Sequence, residues 1–104
     1  MQGRSKTNFI IKFNPDSDYY YYRGVYYLEL ENYTSAIEDA SNHIKYNPKS
    51  INGYNLRSRS FYAQTNYKKA IDDCGSALII DQENLDSYII RGKCNEMLKI
   101  AVPK

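Results

Sequence analysis

The chain contains no stretch in which apolar and polar residues alternate with period two for long enough to predict a β-sheet. Its apolar residues fall instead into segments of about 14 residues, separated by the polar breaks EN (31–32), NPKS (47–50) and DQEN (81–84). This pattern predicts helices over 17–30, 33–46, 51–64 and 67–80, and a fifth helix that begins near Leu85. Helices this short are marginal alone, so we expect them to stack on one another.

The predicted helices belong to a unit that repeats every 34 residues. Seven positions are identical between 17–50 and 51–84, against about two expected by chance. The phrase ENYTSAIEDA returns as TNYKKAIDDC, and a further shift takes Tyr54 to Tyr88 and Arg57 to Arg91. Internal repetition at this period is typical of proteins that stack helix pairs.

A second internal match, with a shift of 33 residues, relates IKFNPDS (11–17) to IKYNPKS (44–50). The N-terminal segment therefore has the sequence of the end of a preceding unit, with one residue fewer in its connection. We divide the single domain 1–104 into the tail of a preceding half repeat (1–16), two whole repeats (17–50 and 51–84) and a last segment (85–104). That last segment is the first helix of a third repeat or a capping helix.

The repeat resembles the tetratricopeptide repeats, whose pattern is aromatic, Leu, Gly, aromatic, Ala, aromatic and Pro. In the first unit Tyr20, Gly24, Tyr27, Ala36 and Pro48 match that pattern. The recurrent arginines stand where the family more often has leucine, and Gln82 replaces the second proline. The resemblance implies an all-α, right-handed superhelical stack of antiparallel helix pairs, an α-solenoid.

The tyrosines divide by whether they recur at the repeat period. Tyr20, Tyr54 and Tyr88 recur, so we expect them to fill the space between helices. In the family, the slots of Tyr21 and Tyr22 in each first helix face the inner groove, where ligands bind. Carried over, the resemblance implies a partner-binding groove lined by Tyr21, Tyr22, Val25, Asn55, Leu56, Arg59, Tyr62, Ile89, Ile90 and Lys93. Tyrosine and arginine are enriched at protein interfaces, so this composition favours a protein or peptide partner.

One specific partner of the family does not match. Some members bind acidic chaperone tails through a carboxylate clamp of lysines, arginine and asparagines. The matching positions here are Tyr21, Val25, Leu56, Asp86 and Ile90, none of which is basic or asparagine. We therefore do not expect chaperone-tail binding by that route.

Composition adds little chemistry. The net charge of +2 gives no ground for a nucleic-acid or membrane partner, and no apolar run is long enough to span a bilayer. Cys74 and Cys94 lack the spacing of a disulfide framework or a metal site, so we expect buried thiols. His43 and Cys74 occupy packing slots, which gives no nucleophile–base pair. We expect no enzyme activity, no metal and no cofactor.

The arginines and the recurrent aspartates need a structural interpretation as well. Arg23, Arg57 and Arg91 form either a cationic ladder for acidic ligands or structural pairs with carboxylates of an adjacent turn, and we favour the second. Asp39 and Asp73 are expected on solvated helix faces, with a neighbouring Lys or Arg as a possible partner.

Two functions follow. The first is a non-catalytic protein–protein interaction module, an adapter or scaffold that holds a partner segment in the tyrosine-rich groove. The alternative is a small structural subunit, or a fragment of a longer array, buried in a large multiprotein assembly. The last helix is rich in apolar residues, which predicts self-association or partner contact through a face made of Ile90, Cys94, Met97 and Leu98.

We expect the protein to be located in the cytoplasm or another reducing intracellular compartment. The mitochondrion is the alternative, because Arg4, Lys6 and Lys12 precede any acidic residue.

Overall fold

The computed structural model describes residues 16–101, so all but the last residue of the proposed half repeat (1–16) and the last three residues of the chain lie outside the described part. In the described part the secondary structure is entirely helical, which confirms the all-α fold. The helices are α1 (Ser17–Glu29), α2 (Tyr33–Tyr46), α3 (Ile51–Ala63), α4 (Tyr67–Ile80) and α5 (Leu85–Ala101). The predicted bounds of the first four differ from these by at most one residue.

Consecutive helices pack on one another, from α1 on α2 to α4 on α5. The first helices of successive units also contact each other, α1 with α3 and α3 with α5. The first helix of the second unit, α3, therefore packs against both α2 and α4, and α5 packs against α4. None of the helices in residues 16–101 is long and apolar enough to cross a membrane.

The turn inside each unit is built twice in the same way. The backbone N–H groups of Glu31 and Asn32 donate to the carbonyls of Leu28 and Tyr27, at 3.0 and 2.9 Å. This is the hydrogen-bond pattern of a Schellman motif, and it places Glu31 in the left-handed region with φ of 63°. Asn32 also caps α2, because its side chain accepts a hydrogen bond from the N–H of Ser35.

The second unit repeats this turn with Thr65 and Asn66. Thr65 has φ of 64°, Asn66 donates to the carbonyl of Phe61 at 2.8 Å, and its side chain caps α4. One asparagine thus closes the first helix of each unit and opens the second.

Two of the three recurrent arginines pair with aspartates of the second helix, as the structural interpretation predicts. Arg57 donates from Nε and Nη2 to the two carboxylate oxygens of Asp73, at 2.9 and 2.8 Å. Arg23 makes the same bidentate pair with Asp39. The expectation that these aspartates lie on solvated faces is wrong, because Asp39 is 1% exposed and Asp73 5% exposed.

Burial changes the ionisation of this pair. Burial raises the pKa of Asp73, while the hydrogen bonds from Arg57 act to lower it. On the other side of the pair, the hydrogen bond to Asp73 raises the pKa of Arg57. The aspartate therefore depends on its arginine to stay charged inside the fold.

Small residues allow the helices of each unit to approach. A Cβ placed on Gly24 would lie 2.9 Å from Cδ2 of Leu56 and 3.1 Å from Cβ of Asp39, so no larger residue fits without movement. Ser58 stands in the same slot of α3, where it is fully buried and donates to the carbonyl of Ala70. At Gly92 the same slot is open, since no atom of another described helix lies within 4 Å of the place that a Cβ would occupy.

The residues of α5 that we expected to contact a partner face the inside of the stack. The predicted contact face consists of Ile90, Cys94, Met97 and Leu98. Ile90 and Cys94 are instead buried against Ala70 and Cys74 of α4, and Met97 and Leu98 are half-buried. Because α4 presents its own apolar residues to α5, this apolar stripe turns inward. The outward side carries Gly92, Asn95 and Lys99, together with the exposed apolar residues Leu85 and Ile100.

Candidate functional site

A pocket of about 340 Å³ opens between α3 and α5. Its lining comes from the first helices of the second and third units. The residues are Arg59, Tyr62, Asp86, Ile89, Ile90 and Lys93. Because successive first helices lie side by side, α3 and α5 line the pocket without any contribution from the second helices, and Arg59 and Lys93 come from equivalent positions of the repeat.

The pocket combines an apolar floor with a charged rim. Ile90 is buried at the base and Ile89 is 46% exposed. The half-buried ring of Tyr62 has its centroid 5.7 Å from that of Tyr67. Such a surface can hold an aliphatic or aromatic side chain of a ligand while keeping its ends in water.

Two cations and one carboxylate form the rim. Nη2 of Arg59 lies 3.3 Å from Oδ2 of Asp86, and both side chains are substantially exposed. Lys93 is exposed and forms no ion pair with any residue in the described part of the chain. The rim therefore carries a surplus positive charge.

Comparison with solved structures decides the fold. The chain superposes on the tetratricopeptide-repeat domain of Arabidopsis OM64 with a TM-score of 0.76 and 22% identity, over 79% of this chain and 68% of that one. It also superposes on the TPR2AB domain of yeast Sti1, solved as a complex with pHSP90, with a TM-score of 0.79 and 21% identity. That match covers 94% of this chain and 38% of the Sti1 chain.

The chain has the tetratricopeptide-repeat fold.

Sequence comparison agrees with this repeat fold. The chain is 30% identical over 90 residues to human serine/threonine-protein phosphatase 5. The matched region is 86% of this chain but only 18% of the phosphatase, so the chain spans less than a fifth of that relative. No model of a known protein family matches the chain.

The repeat register explains where the predicted groove residues lie. Five of the ten line the pocket, namely Arg59, Tyr62, Ile89, Ile90 and Lys93. Asp86 also lines it and is absent from the predicted set, although the clamp comparison places position 86 in the groove. Tyr21 and Val25 are half-buried on α1, outside this pocket.

Asn55 and Leu56 are buried, so they offer no surface to a ligand. The amide of Asn55 donates to Oδ1 of Asn84 at 3.0 Å and accepts from the hydroxyl of Ser87 at 2.8 Å. Because Asn84 in turn accepts from the N–H of Ser87, Asn55 fixes the first turn of α5. Its position beside the pocket is therefore structural.

Tyr22, in contrast, is 69% exposed, and it lies on α1, outside the pocket. The 34-residue register equates it with Leu56 and Ile90. In α3 and α5 that slot is buried, and Ile90 packs against the second helix of the preceding unit. Tyr22 thus belongs to the side of α1 on which a preceding unit would lie.

The single histidine is structural, as predicted. His43 is buried, with Nδ1 2.6 Å from Oγ of Ser17 and Nε2 2.6 Å from Oγ of Ser50. It joins the first turn of α1 to the N-cap of α3. Both cysteines are buried thiols, as expected. Burial raises the pKa of Cys74 and raises the pKa of Cys94 to about 11, so neither thiol is activated.

Proposed function

We propose that this chain is a non-catalytic protein–protein interaction module that binds a segment of a partner protein on the surface formed by its first helices. The pocket between α3 and α5 carries this proposal, because it is a concave site with an apolar floor and polar groups at the rim. The fold is shared with the Sti1 domain that was solved with a bound partner, which supports a partner on this chain too.

The rim chemistry favours a particular kind of partner segment. Lys93 and Arg59 outnumber Asp86, and Ile89 and Tyr62 supply apolar contact. We propose a segment that inserts one aliphatic or aromatic side chain and carries an acidic residue beside it. The clamp positions hold Tyr21, Val25, Leu56, Asp86 and Ile90, so the acidic group would be held by Lys93 and Arg59 in place of a clamp.

Affinity capture with paired variants tests the proposal. Ile89→Glu and Lys93→Glu change the pocket, while Ile79→Glu and Lys68→Glu make the same changes at exposed positions on α4. We expect specific co-purifying proteins to be lost with the two pocket variants and retained with the two controls. The proposal fails if every co-purifying protein is retained by the pocket variants, once circular dichroism has shown that they are folded.

A structural role in a larger assembly is the second candidate. The exposure of Tyr22 on the side of α1 where another unit would lie favours it. In that case affinity capture returns a constant, stoichiometric set of proteins, and Tyr22→Glu releases that set while Ile89→Glu does not. An adapter would give the opposite dependence on the two variants.

A further inference from the structure

The ion pair between Arg59 and Asp86 crosses the rim of the pocket, from α3 to α5. Nη2 of Arg59 lies 3.3 Å from Oδ2 of Asp86, and both residues line the pocket. Their side chains are 46% and 58% exposed, so a ligand in the pocket can reach both. The carboxylate therefore already occupies one of the two cations that the rim offers to an acidic ligand.

The packing of first helices does not require this pair. A shift of 34 residues takes its two positions to Val25 and Asn52, at the junction of α1 and α3. Val25 is half-buried, Asn52 is exposed, and neither is charged, yet α1 and α3 contact each other. An exposed ion pair also contributes little to stability. The consequence of this pair is therefore to be sought in the pocket that it borders.

The two partners differ in how firmly they are held. The residues on both sides of Asp86 are fixed, because the N–H of Ser87 donates to Oδ1 of Asn84 at 2.9 Å and the hydroxyl of Ser87 donates to Oδ1 of Asn55 at 2.8 Å. Arg59 forms no other ion pair or side-chain hydrogen bond with residues 16–101. Its long side chain can therefore turn toward a ligand, while the backbone that carries Asp86 stays in place.

We propose that Asp86 is an internal competitor for Arg59, which holds the guanidinium until an acidic group of the partner segment displaces the Asp86 carboxylate. This inference rests on the proposed function, because it concerns the same pocket. An acid that takes Arg59 from Asp86 exchanges one carboxylate for another and so gains little. Of the two rim cations, Lys93 alone attracts an acid without such an exchange. Asp86 therefore weakens the preference of the pocket for acidic segments over neutral ones.

Peptides selected on the full chain test this competition. A displayed library of random peptides supplies the probes, and only peptides whose binding is lost in Ile89→Glu are kept. Each acidic peptide is paired with a counterpart in which the corresponding amide replaces its acid. Asp86→Asn, which keeps the shape of the side chain, should tighten the acidic peptides about two- to fivefold and leave the amide counterparts unchanged, as fluorescence anisotropy would show.

Two further variants separate competition from simpler effects of charge. Glu83→Gln makes the same change of net charge at an exposed position outside the pocket lining, and it should leave both kinds of peptide unaffected. In an Arg59→Gln background, Asp86→Asn should give no gain, because the group for which the two acids compete is absent. Circular dichroism establishes that each variant is folded.

The outcomes distinguish this inference from the proposed function. Unchanged or weaker binding of acidic peptides to Asp86→Asn would overturn the competition. An equal gain with and without Arg59 would also overturn it, since Asp86 would then repel the ligand directly. In both cases the loss of binding in Ile89→Glu stands, and with it the proposed function. A library that yields no peptide sensitive to Ile89→Glu would overturn both.

Discussion

Arg57 connects three helices through its side-chain hydrogen bonds. It pairs with Asp73 of α4 and donates from Nη1 to the hydroxyl of Ser41 in α2, at 3.0 Å. The side chain of Arg57 is 24% exposed, against 40% for Arg23, so water screens the Arg57–Asp73 pair less than the Arg23–Asp39 pair. Where the family more often has leucine, this chain uses a cation that ties neighbouring units together.

Replacing this arginine by leucine should destabilise the domain by about 2–4 kcal/mol, because Asp73 is left charged and buried. Adding Asp73→Leu should restore at least half of the loss, since an apolar pair can replace a buried ion pair. Urea unfolding of the single and double variants measures both effects. An equal loss in the two variants would show that packing of the arginine stem, and not the orphaned carboxylate, is responsible.

The loss in Arg57→Leu should also depend on pH. Burial raises the pKa of Asp73 above its ordinary value of 3.8, and the variant lacks the arginine that lowers it. When folding raises the pKa of an acid, the protonated acid stabilises the folded state at pH values below the pKa that it has in the unfolded chain. This stabilisation is lost as the pH rises through the pKa of the folded state. The deficit should therefore be smallest near pH 4 and increase toward pH 7, as urea midpoints across this range would show.

Gly24 and Gly92 occupy the same repeat slot and should respond oppositely to alanine. At Gly24 the new Cβ meets Leu56 and Asp39, so Gly24→Ala should cost about 1–3 kcal/mol. At Gly92 the space is open, so Gly92→Ala should stabilise the helix by about 0.5–1 kcal/mol. Thermal unfolding gives both values, and a loss at Gly92 would mean that another part of the chain covers that slot.

At the scale of the helices, the sequence is a good guide to boundaries and a poorer guide to faces. The breaks EN, NPKS and DQEN predict where helices end, because asparagine caps and proline act locally on the backbone. The period of 34 shows that Tyr22, Leu56 and Ile90 are equivalent, but not which neighbour that slot meets. That depends on packing between units, and it is why the sequence alone places Leu56 in the groove and Ile90 on an outward face.

The turn at Thr65 offers a test of local strain. A β-branched residue with positive φ is unfavourable, whereas glycine adopts this conformation freely. Thr65→Gly should therefore stabilise the domain by about 0.5–1 kcal/mol, and Asn66→Ala, which removes the cap of α4, should cost about 1 kcal/mol. Thermal unfolding of both variants checks this, and destabilisation by Thr65→Gly would show that the side chain has a role of its own.

At the scale of the whole molecule, the described residues form a stack with two different ends. The α5 end exposes Leu85 and Ile100 among polar residues, while the α1 end exposes tyrosines. Between them, the contact of α4 with α5 holds both cysteines in one apolar cluster. Loss of that contact would expose both thiols together, which makes them natural reporters of how the end of the stack opens.

Thiol alkylation at pH 8 should report this opening. With a pKa of about 11, Cys94 is almost entirely protonated in the folded protein, and it is buried as well. We expect iodoacetamide to react at least roughly 100-fold more slowly with the folded chain than with the chain in urea. Cys74 and Cys94 should be labelled at the same rate, measured by mass spectrometry. Faster labelling of both at low urea would show that α5 detaches before the rest unfolds.

The asparagine that serves two helices at once sets a limit on how this chain can change in length. Asn32 closes α1 through its N–H and opens α2 through its side chain, so this corner has no spare residue. One inserted residue there would rotate α2 by about 100° and carry Asp39 away from Arg23. In the described connections between units, no single residue both closes one helix through its N–H and caps the next helix through its side chain. Insertions and deletions should accumulate there. The shift of 33 that relates NPDS (14–17) to NPKS (47–50), against 34 between the two units, is a one-residue difference at that kind of junction.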